Sequence, residues 1–264
     1  MSDTPQHLDD LFADWPYEFG EVVARIVPGA DGRDVVQLRI DMGMLQLETA
    51  DRPDGSRPGG QPTYYDQLLT LLAEKGEEFE LDEERCIEID REFVQFYHRR
   101  IAWLSLGEFE RAVVDADHTL SLMDFSSLHA PHAEWAEMHE QYRPFVLFHR
   151  TQAVALAALE NLDPADAVKE IDEGVAQIAE AYLALGGEEE DLSEDEFLNR
   201  LREMKAALET QYEIEPPLTK QLAEAIAREQ YELAAEIRDK IARKTRRVPG
   251  SESVRPRPGD GTGR

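Results

Sequence analysis

The 264-residue chain contains one cysteine, Cys86, so an intrachain disulfide bond is excluded. It has no run of about 18 consecutive apolar residues, and the sequence therefore predicts no membrane-spanning helix. Residues 1–10 are polar and acidic, and they lack the basic start and the apolar core of a secretory signal. Together these absences favour a reducing, cytoplasmic location.

Motifs of the common nucleotide-dependent and hydrolytic enzymes are also missing. The dipeptide Gly-Lys does not occur, so there is no phosphate-binding G-x-x-x-x-G-K-[ST] loop, and no G-x-S-x-G sequence is present. The zinc motif H-E-x-x-H fails after His139 because Arg143 occupies its last position. We therefore predict no catalytic residues and no cofactor. A buried cluster of His118 with Asp115 or Asp117 beside a pocket would favour an enzyme instead.

Histidines are concentrated in the middle of the chain. Six of the seven lie in one segment: His98, His118, His129, His132, His139 and His149. A zinc or other divalent site is one interpretation, since Glu134 and Glu137 lie nearby. We favour the other, scattered histidines on helix surfaces without a bound metal, because no standard ligand spacing is present.

Acidic residues outnumber basic ones by 56 to 28, which gives a formal net charge of -28. Such a chain repels phosphate backbones, so broad binding to nucleic acid is not expected. Residues 243–264 differ, with seven basic and two acidic side chains and a net charge of +5. This tail either keeps the protein soluble or acts as a basic arm toward nucleic acid or the acidic remainder of the chain.

The pattern predicts a mainly α fold with a small N-terminal antiparallel β-meander. Residues 1–16 are expected to be poorly ordered, and residues 17–61 to form the meander and a Pro/Gly-rich loop. Between 36 and 41, Val36, Leu38 and Ile40 alternate with polar residues, as in a half-buried strand. Three short strands need a covering helix to bury their apolar face.

Residues 62–213 are predicted to be helical. Apolar residues at steps of three and four indicate one helix over 82–106, broken by Gly107, with Arg100 or Ile101 continuing its apolar face. Asp163-Pro164 is typical of a helix start, and Ser193 with Glu196 predicts a capping box.

A weak internal repeat runs through this helical region. Phe93-Val94-Gln95-Phe96 recurs as Phe145-Val146-Leu147-Phe148, and the segment 112–117 recurs at 167–172. Each copy is expected to be an antiparallel helix pair, and the first resembles a tetratricopeptide unit, although the spacing exceeds the roughly 34 residues of that family. The alternative is an ordinary helical bundle with recurring apolar patterns.

A separate helical hairpin is predicted at 216–244, and a disordered basic tail at 245–264. Pro216-Pro217 should separate the hairpin from the helices before it. Its first apolar stripe consists of Leu218, Leu222, Ala225 and Ile226. Its second consists of Tyr231, Ala234, Ala235, Ile237 (or Arg238) and Ile241. Each helix is too short to be stable alone, so the two are expected to pack together.

This hairpin resembles the UVR motif of the UvrB and UvrC excision-repair proteins and of certain bacterial protease-associated proteins. The matching residues are Leu222, Ala225, Tyr231, Glu232, Ala234, Ala235, Ile237, Arg238 and Asp239. The resemblance implies a helical hairpin used for self-association or for pairing with another such motif. The helicase motifs of UvrB are absent, and the single Cys86 excludes the paired-cysteine metal site of the protease-associated relatives.

We therefore expect a non-enzymatic scaffold or adaptor that binds a protein partner, or a second copy of itself, through the hairpin. The predicted partner-binding residues are Leu222, Ala225, Ile226, Tyr231, Ala234, Ala235, Ile237, Arg238 and Ile241. The alternative is an accessory factor of nucleotide excision repair that contacts UvrB-like or UvrC-like proteins, or DNA through the tail. A third arrangement, in which the hairpin packs permanently against the preceding helices, would leave no free surface.

Overall fold

A computed structural model describes residues 7–214 and 218–246. The chain divides into two compact units, Met1–Tyr212 and Glu213–Arg264, and we call the first the body. The helices of the body are α1 (Leu8–Phe12), α2 (Tyr64–Lys75), α3 (Glu83–Leu106), α4 (Phe109–His129), α5 (Ala133–Glu140), α6 (Arg143–Glu160), α7 (Pro164–Ala184) and α8 (Glu196–Gln211). Its strands are β1 (Val23–Pro28), β2 (Asp34–Ile40) and β3 (Gly43–Glu48). The second unit contains α9 (Leu218–Ala227) and α10 (Tyr231–Arg246), which together we call the hairpin.

The predicted fold class, mainly helical with a small N-terminal antiparallel sheet, is confirmed. Of the segment expected to be poorly ordered, residues 8–12 form α1, and residues 1–6 lie outside the described residues. Pro216-Pro217 and residues 247–264 of the predicted tail also lie outside the described residues. The prediction that the tail begins at residue 245 is wrong by two residues, because α10 continues to Arg246.

The sheet has the order β1-β2-β3, with each neighbouring pair antiparallel. The simple alternation predicted for β2 is wrong at two places. Gln37 is buried, and hydrogen bonds offset the cost of burying its amide: Arg25 Nε donates to its Oε1 at 2.9 Å, and its own Nε2 donates to Gln46 at 3.2 Å. Ile40, placed on the buried side by the pattern, is 39% exposed because the strand ends there.

The covering helix that the meander requires is α3. Val36 and Leu38 of the central strand pack against Ala102 and Trp103, near the C-terminal end of α3, with Ala112 of α4 completing the cluster. All five side chains are buried. The sheet is therefore stabilised by the helices that follow it.

Local signals fix most of the helix ends. The Asp82 carboxylate accepts from the backbone N–H of Arg85 at 2.9 Å and begins α3, and Gly107 ends that helix with φ of 76°. Asp163 caps α7 with Pro164 in the first position, as predicted. The capping box at Ser193 is wrong, because the Asp195 carboxylate accepts from Leu198 N–H at 2.8 Å and Ser193 lies in a short 3-10 helix before it.

The two sequence repeats lie on two helix pairs that pack in succession. The first copy occupies α3 and α4, which the turn at Gly107 joins, and the second occupies α6 and α7, with the short α5 between the pairs. Ala116 and Met123 of α4 pack against Val146 of α6, so the pairs share a core. The assignment to the tetratricopeptide class stays a prediction.

Candidate functional site

Small side chains bring the two helices of the hairpin together. Ala225 of α9 is buried against Ala234 and Ile237 of α10, and Leu222 is partly buried beside them. Because alanine has only a methyl group, the two backbones can approach closely along this seam. The hairpin therefore has a narrow core of its own.

The turn of the hairpin has the geometry of a Schellman motif. Gln230 N–H donates to the Ala225 carbonyl at 2.8 Å, and Glu229 N–H donates to the Ile226 carbonyl at 3.0 Å. Glu229 adopts the left-handed conformation, with φ of 55°, a position that usually holds glycine. The turn is therefore defined by backbone hydrogen bonds despite an unfavourable residue.

Large apolar side chains of the hairpin remain open to solvent. Tyr231 is 68% exposed, Ile226 is 53% exposed and Leu233 is 45% exposed. At 3.6 residues per turn, Tyr231 and Leu233 flank the core-facing positions of α10 on opposite sides. A hairpin with a narrow alanine-rich core thus presents apolar area that its own packing leaves uncovered.

The predicted partner-binding residues fall into two groups. Leu222, Ala225, Ala234 and Ile237 face the hairpin's own core, whereas Ile226, Tyr231, Ala235 and Arg238 are exposed. The side chains of Leu218 and Ile241 lie outside the described residues. Sequence reasoning missed Leu233, because it stands one position before the Ala234 stripe and breaks the regular spacing.

The charges of the hairpin are nearly balanced. Residues 218–246 contain seven basic and five acidic side chains, in contrast to the strong acidic excess of the whole chain. The exposed Arg238 guanidinium lies 3.3 Å from the neighbouring Asp239 carboxylate. A second hairpin of similar composition could therefore approach without strong repulsion.

Three histidines of the body are largely covered, so the interpretation of scattered surface histidines is wrong for them: His149 is buried, and the side chains of His118 and His139 are 13% exposed. His118 Nε2 lies 2.9 Å from Glu92, His139 Nε2 lies 2.9 Å from Asp90, and His149 Nδ1 accepts from Arg100 Nε at 3.3 Å. Burial, Arg100 and Arg200 lower the pKa of His149 to about 3. Within residues 7–214 and 218–246, no three His, Cys, Asp or Glu side chains are arranged to hold a metal ion.

None of the helices that the structure describes has the length and apolar character needed to cross a membrane. The helices α3, α4, α5, α6 and α8 border a cavity, and none of His118, Asp115 and Asp117 lines it.

Comparison with protein-family models identifies the hairpin. Residues 215–244 match the UvrB/uvrC motif, UVR, which confirms the resemblance found from Tyr231, Ala234, Ala235 and their neighbours. No curated protein and no solved structure matches the chain. The motif covers the hairpin, and the body lies outside the match.

Proposed function

We propose that this chain is a non-enzymatic interaction protein of the cytoplasm, a scaffold or adaptor whose hairpin binds a second helical hairpin. The observation that carries the proposal is the exposure of Ile226, Tyr231 and Leu233 on a folded UVR hairpin. Large apolar side chains at helical spacing are the anchors by which helices recognise grooves and other helices.

The chemistry of the three exposed residues suits an interface centre. Tyrosine is enriched among residues that dominate binding energy, because it buries a large ring while its hydroxyl keeps a polar contact. Ile226 and Leu233 add apolar area on both helices. The occupant we propose is another UVR-type hairpin, from a second copy or from a partner protein, since the balanced charges permit close approach.

The test measures self-association by sedimentation and binding to a purified UVR hairpin from a UvrB-type or UvrC-type protein. An Ile226→Ser, Tyr231→Ser double variant should weaken the interaction by about tenfold or more, because it removes two apolar anchors. Leu128→Ser is the matched control, since Leu128 of α4 is also well exposed but lies in the body. Wild-type protein that neither self-associates nor binds such a hairpin, or a double variant that binds equally well, would contradict the proposal.

The alternative is an accessory role in nucleotide excision repair with direct DNA contact. Its support is the +5 charge of residues 243–264, which differs in sign from the rest of the chain. DNA binding through this tail should weaken steeply with salt and disappear when residues 247–264 are removed. Binding that is absent, or that does not depend on salt, would leave only the protein interaction.

A further inference from the structure

The body contains a cavity of about 740 Å³ bordered by α3, α4, α5, α6 and α8. Its volume falls within the range of about 300–1,000 Å³ that is typical of small-molecule sites. Most of its wall is apolar and aromatic, including Phe93, Tyr97, Met123, Met138, Phe145 and Phe197. A ligand in this cavity would therefore carry an apolar chain or ring.

One cationic side chain, Arg100, forms part of this wall and is only 1% exposed. Its Nε donates to His149 Nδ1 at 3.3 Å and its Nη1 donates to Thr119 Oγ1 at 3.0 Å. Its Nη2 makes no hydrogen bond to any residue that the structure describes, and no described carboxylate lies within 4.0 Å of the guanidinium. The group thus has a free donor and no ion-pair partner.

The neighbours of Arg100 do not neutralise it. Both carboxylate oxygens of Asp115 accept from Arg99, at 2.9 Å and 2.7 Å. His149 is neutral at physiological pH because its pKa is lowered to about 3. Burial lowers the pKa of Arg100 to about 10, so the guanidinium still carries its proton at neutral pH. The wall of an apolar cavity therefore holds a positive charge that no carboxylate contacts directly, because Asp115 attracts it through space but is itself paired with Arg99.

The opposite end of the cavity has the other sign. Asp90 precedes Arg100 by ten residues on α3, which places the two about 15 Å apart along the helix at 1.5 Å per residue. Asp90 lies beside His139, whose ring stacks on Phe93 with centroids 4.4 Å apart. Asp90 Oδ1 and His139 Nε2 lie 2.9 Å apart, but their angles do not meet those of a hydrogen bond. An anion is thus favoured only at the Arg100 end.

We propose that this cavity binds a small organic monocarboxylate, with its carboxylate on Arg100 and its apolar chain or ring along Phe93, Tyr97 and Phe145. Arg100 Nη2 is the donor left for a carboxylate, and a hydrogen bond between a guanidinium and a carboxylate is charge-assisted and stronger than a neutral one. Asp90 opposes a second negative charge at the far end. The net charge of -28 likewise disfavours polyanions such as nucleotides.

Isothermal titration of the full chain with three eight-carbon probes tests the proposal. Octanoate should bind one site per chain. 1-Octanol should bind at least about tenfold more weakly because it lacks the charge. Octanedioate should also bind at least about tenfold more weakly, because its second carboxylate lies near Asp90. Arg100→Met should abolish the preference for octanoate over octanol. Arg91→Met, on the same helix but exposed, should preserve it.

The result that overturns the proposal is an undetectable heat for octanoate, or equal affinities for octanoate and octanol on the wild-type chain. That comparison needs no variant, so it decides the matter even if Arg100→Met fails to fold. Ile226→Ser, Tyr231→Ser should leave octanoate binding unchanged, which separates this site from the function proposed for the hairpin.

Discussion

Arg99 and Asp115 form a two-point ion pair in the interior of the body. Arg99 Nε donates to Asp115 Oδ2 at 2.9 Å, and Nη2 donates to Oδ1 at 2.7 Å. The remaining nitrogen, Nη1, donates to the backbone carbonyls of Glu48 at 3.0 Å and Asp51 at 2.9 Å. The Arg99 side chain thus links α3 to α4 and to the end of β3. The next residue, Arg100, has no carboxylate partner.

The two adjacent arginines should respond in opposite ways to the same substitution. Arg99→Met leaves the buried Asp115 carboxylate and two carbonyls without their donor, and should lower the free energy of unfolding by about 3–5 kcal/mol. Arg100→Met removes a buried charge that has no contacting carboxylate, which offsets the loss of its hydrogen bonds to His149 and Thr119, so stability should stay within about 1 kcal/mol of wild type or rise. Urea unfolding at neutral pH measures both.

The cost of Arg99→Met should also shrink as the pH falls. Burial raises the pKa of Asp115, and a protonated Asp115 carries no unpaired charge. A larger loss of stability for Arg100→Met than for Arg99→Met would contradict this account of the charges.

His149 should make the stability of the body depend on pH. In the folded protein the pKa of His149 is about 3, below its ordinary value of 6.5, mainly because burial disfavours the charged form of the ring. Between these values the unfolded chain binds more protons, so stability is complete above pH 6.5 and is lost as the pH falls toward 3. The contribution lost between pH 6.5 and pH 5 is about 2 kcal/mol.

His149→Gln should flatten that dependence, because glutamine does not take up a proton and its carbonyl can still accept from Arg100 Nε. Urea unfolding at pH 7 and pH 5 compares it with wild type, and the exposed His132→Gln serves as the control. An unchanged slope in His149→Gln would show that another group titrates in this range.

Gly174 permits the close contact between α6 and α7. A Cβ at this position would lie 2.0 Å from Thr151 Oγ1, 2.3 Å from Cγ2 and 2.7 Å from Cβ. Gly174→Ala should therefore destabilise the protein by about 1–3 kcal/mol, although alanine stabilises an exposed helix interior by about 1 kcal/mol.

A double-mutant cycle with Thr151→Ala checks the cause. Removing Oγ1 and Cγ2 eliminates the two shortest contacts and leaves the third, so the double variant should recover part of the loss relative to the sum of the single variants. Strictly additive losses, measured by urea unfolding, would mean that the contact with Thr151 is not the reason for glycine.

Local chemistry explains which features the sequence predicts. The caps at Asp82 and Asp163 and the glycine stop at Gly107 depend on a few neighbouring residues, so they can be found without the fold. The burial of Gln37 depends on Arg25 and Gln46 on neighbouring strands. Arg99 pairs with a carboxylate and Arg100 does not, and this difference depends on which helix faces each residue. Helical spacing alone indicates only that Arg100 or Ile101 continues the apolar face.

The hairpin shows the same division between local and nonlocal information. The residue types around Tyr231 identify the UVR motif, because the match rests on sequence alone. Periodicity placed Leu222 and Ile237 in the partner-binding set, but these side chains pack into the hairpin's own core. Which apolar residue remains exposed follows from how the two helices meet, and that geometry is set across the turn.

Four described helices end in the same Schellman hydrogen-bond pattern with different residues in the left-handed position. Gly107 and Gly186 hold it after α3 and α7, whereas Leu162 and Glu229 hold it after α6 and α9, with φ of 60° and 55°. A side chain in this conformation costs about 1–2 kcal/mol, and glycine avoids that cost at the expense of unfolded-state entropy.

Leu162→Gly should therefore raise the unfolding free energy of the body by about 0.5–1 kcal/mol, since Leu162 is 88% exposed and loses little packing. Gly107→Ala should have the opposite effect and serves as the control. Urea unfolding measures both variants, and a loss of stability in Leu162→Gly would mean that its side chain contributes more than the backbone strain costs.

Glu229→Gly applies the same change to the hairpin and links its stability to binding. The variant should slow amide hydrogen exchange throughout α10, because the turn that joins the two helices no longer carries a strained residue. If the hairpin binds another hairpin as a folded unit, a larger folded fraction also raises the apparent affinity, since partners no longer bear the cost of ordering it. Slower exchange in α10 together with weaker association would contradict binding as a folded unit. It would indicate that the hairpin opens at Glu229 when it binds, so that Ile226 and Tyr231 contact the partner from an opened hairpin.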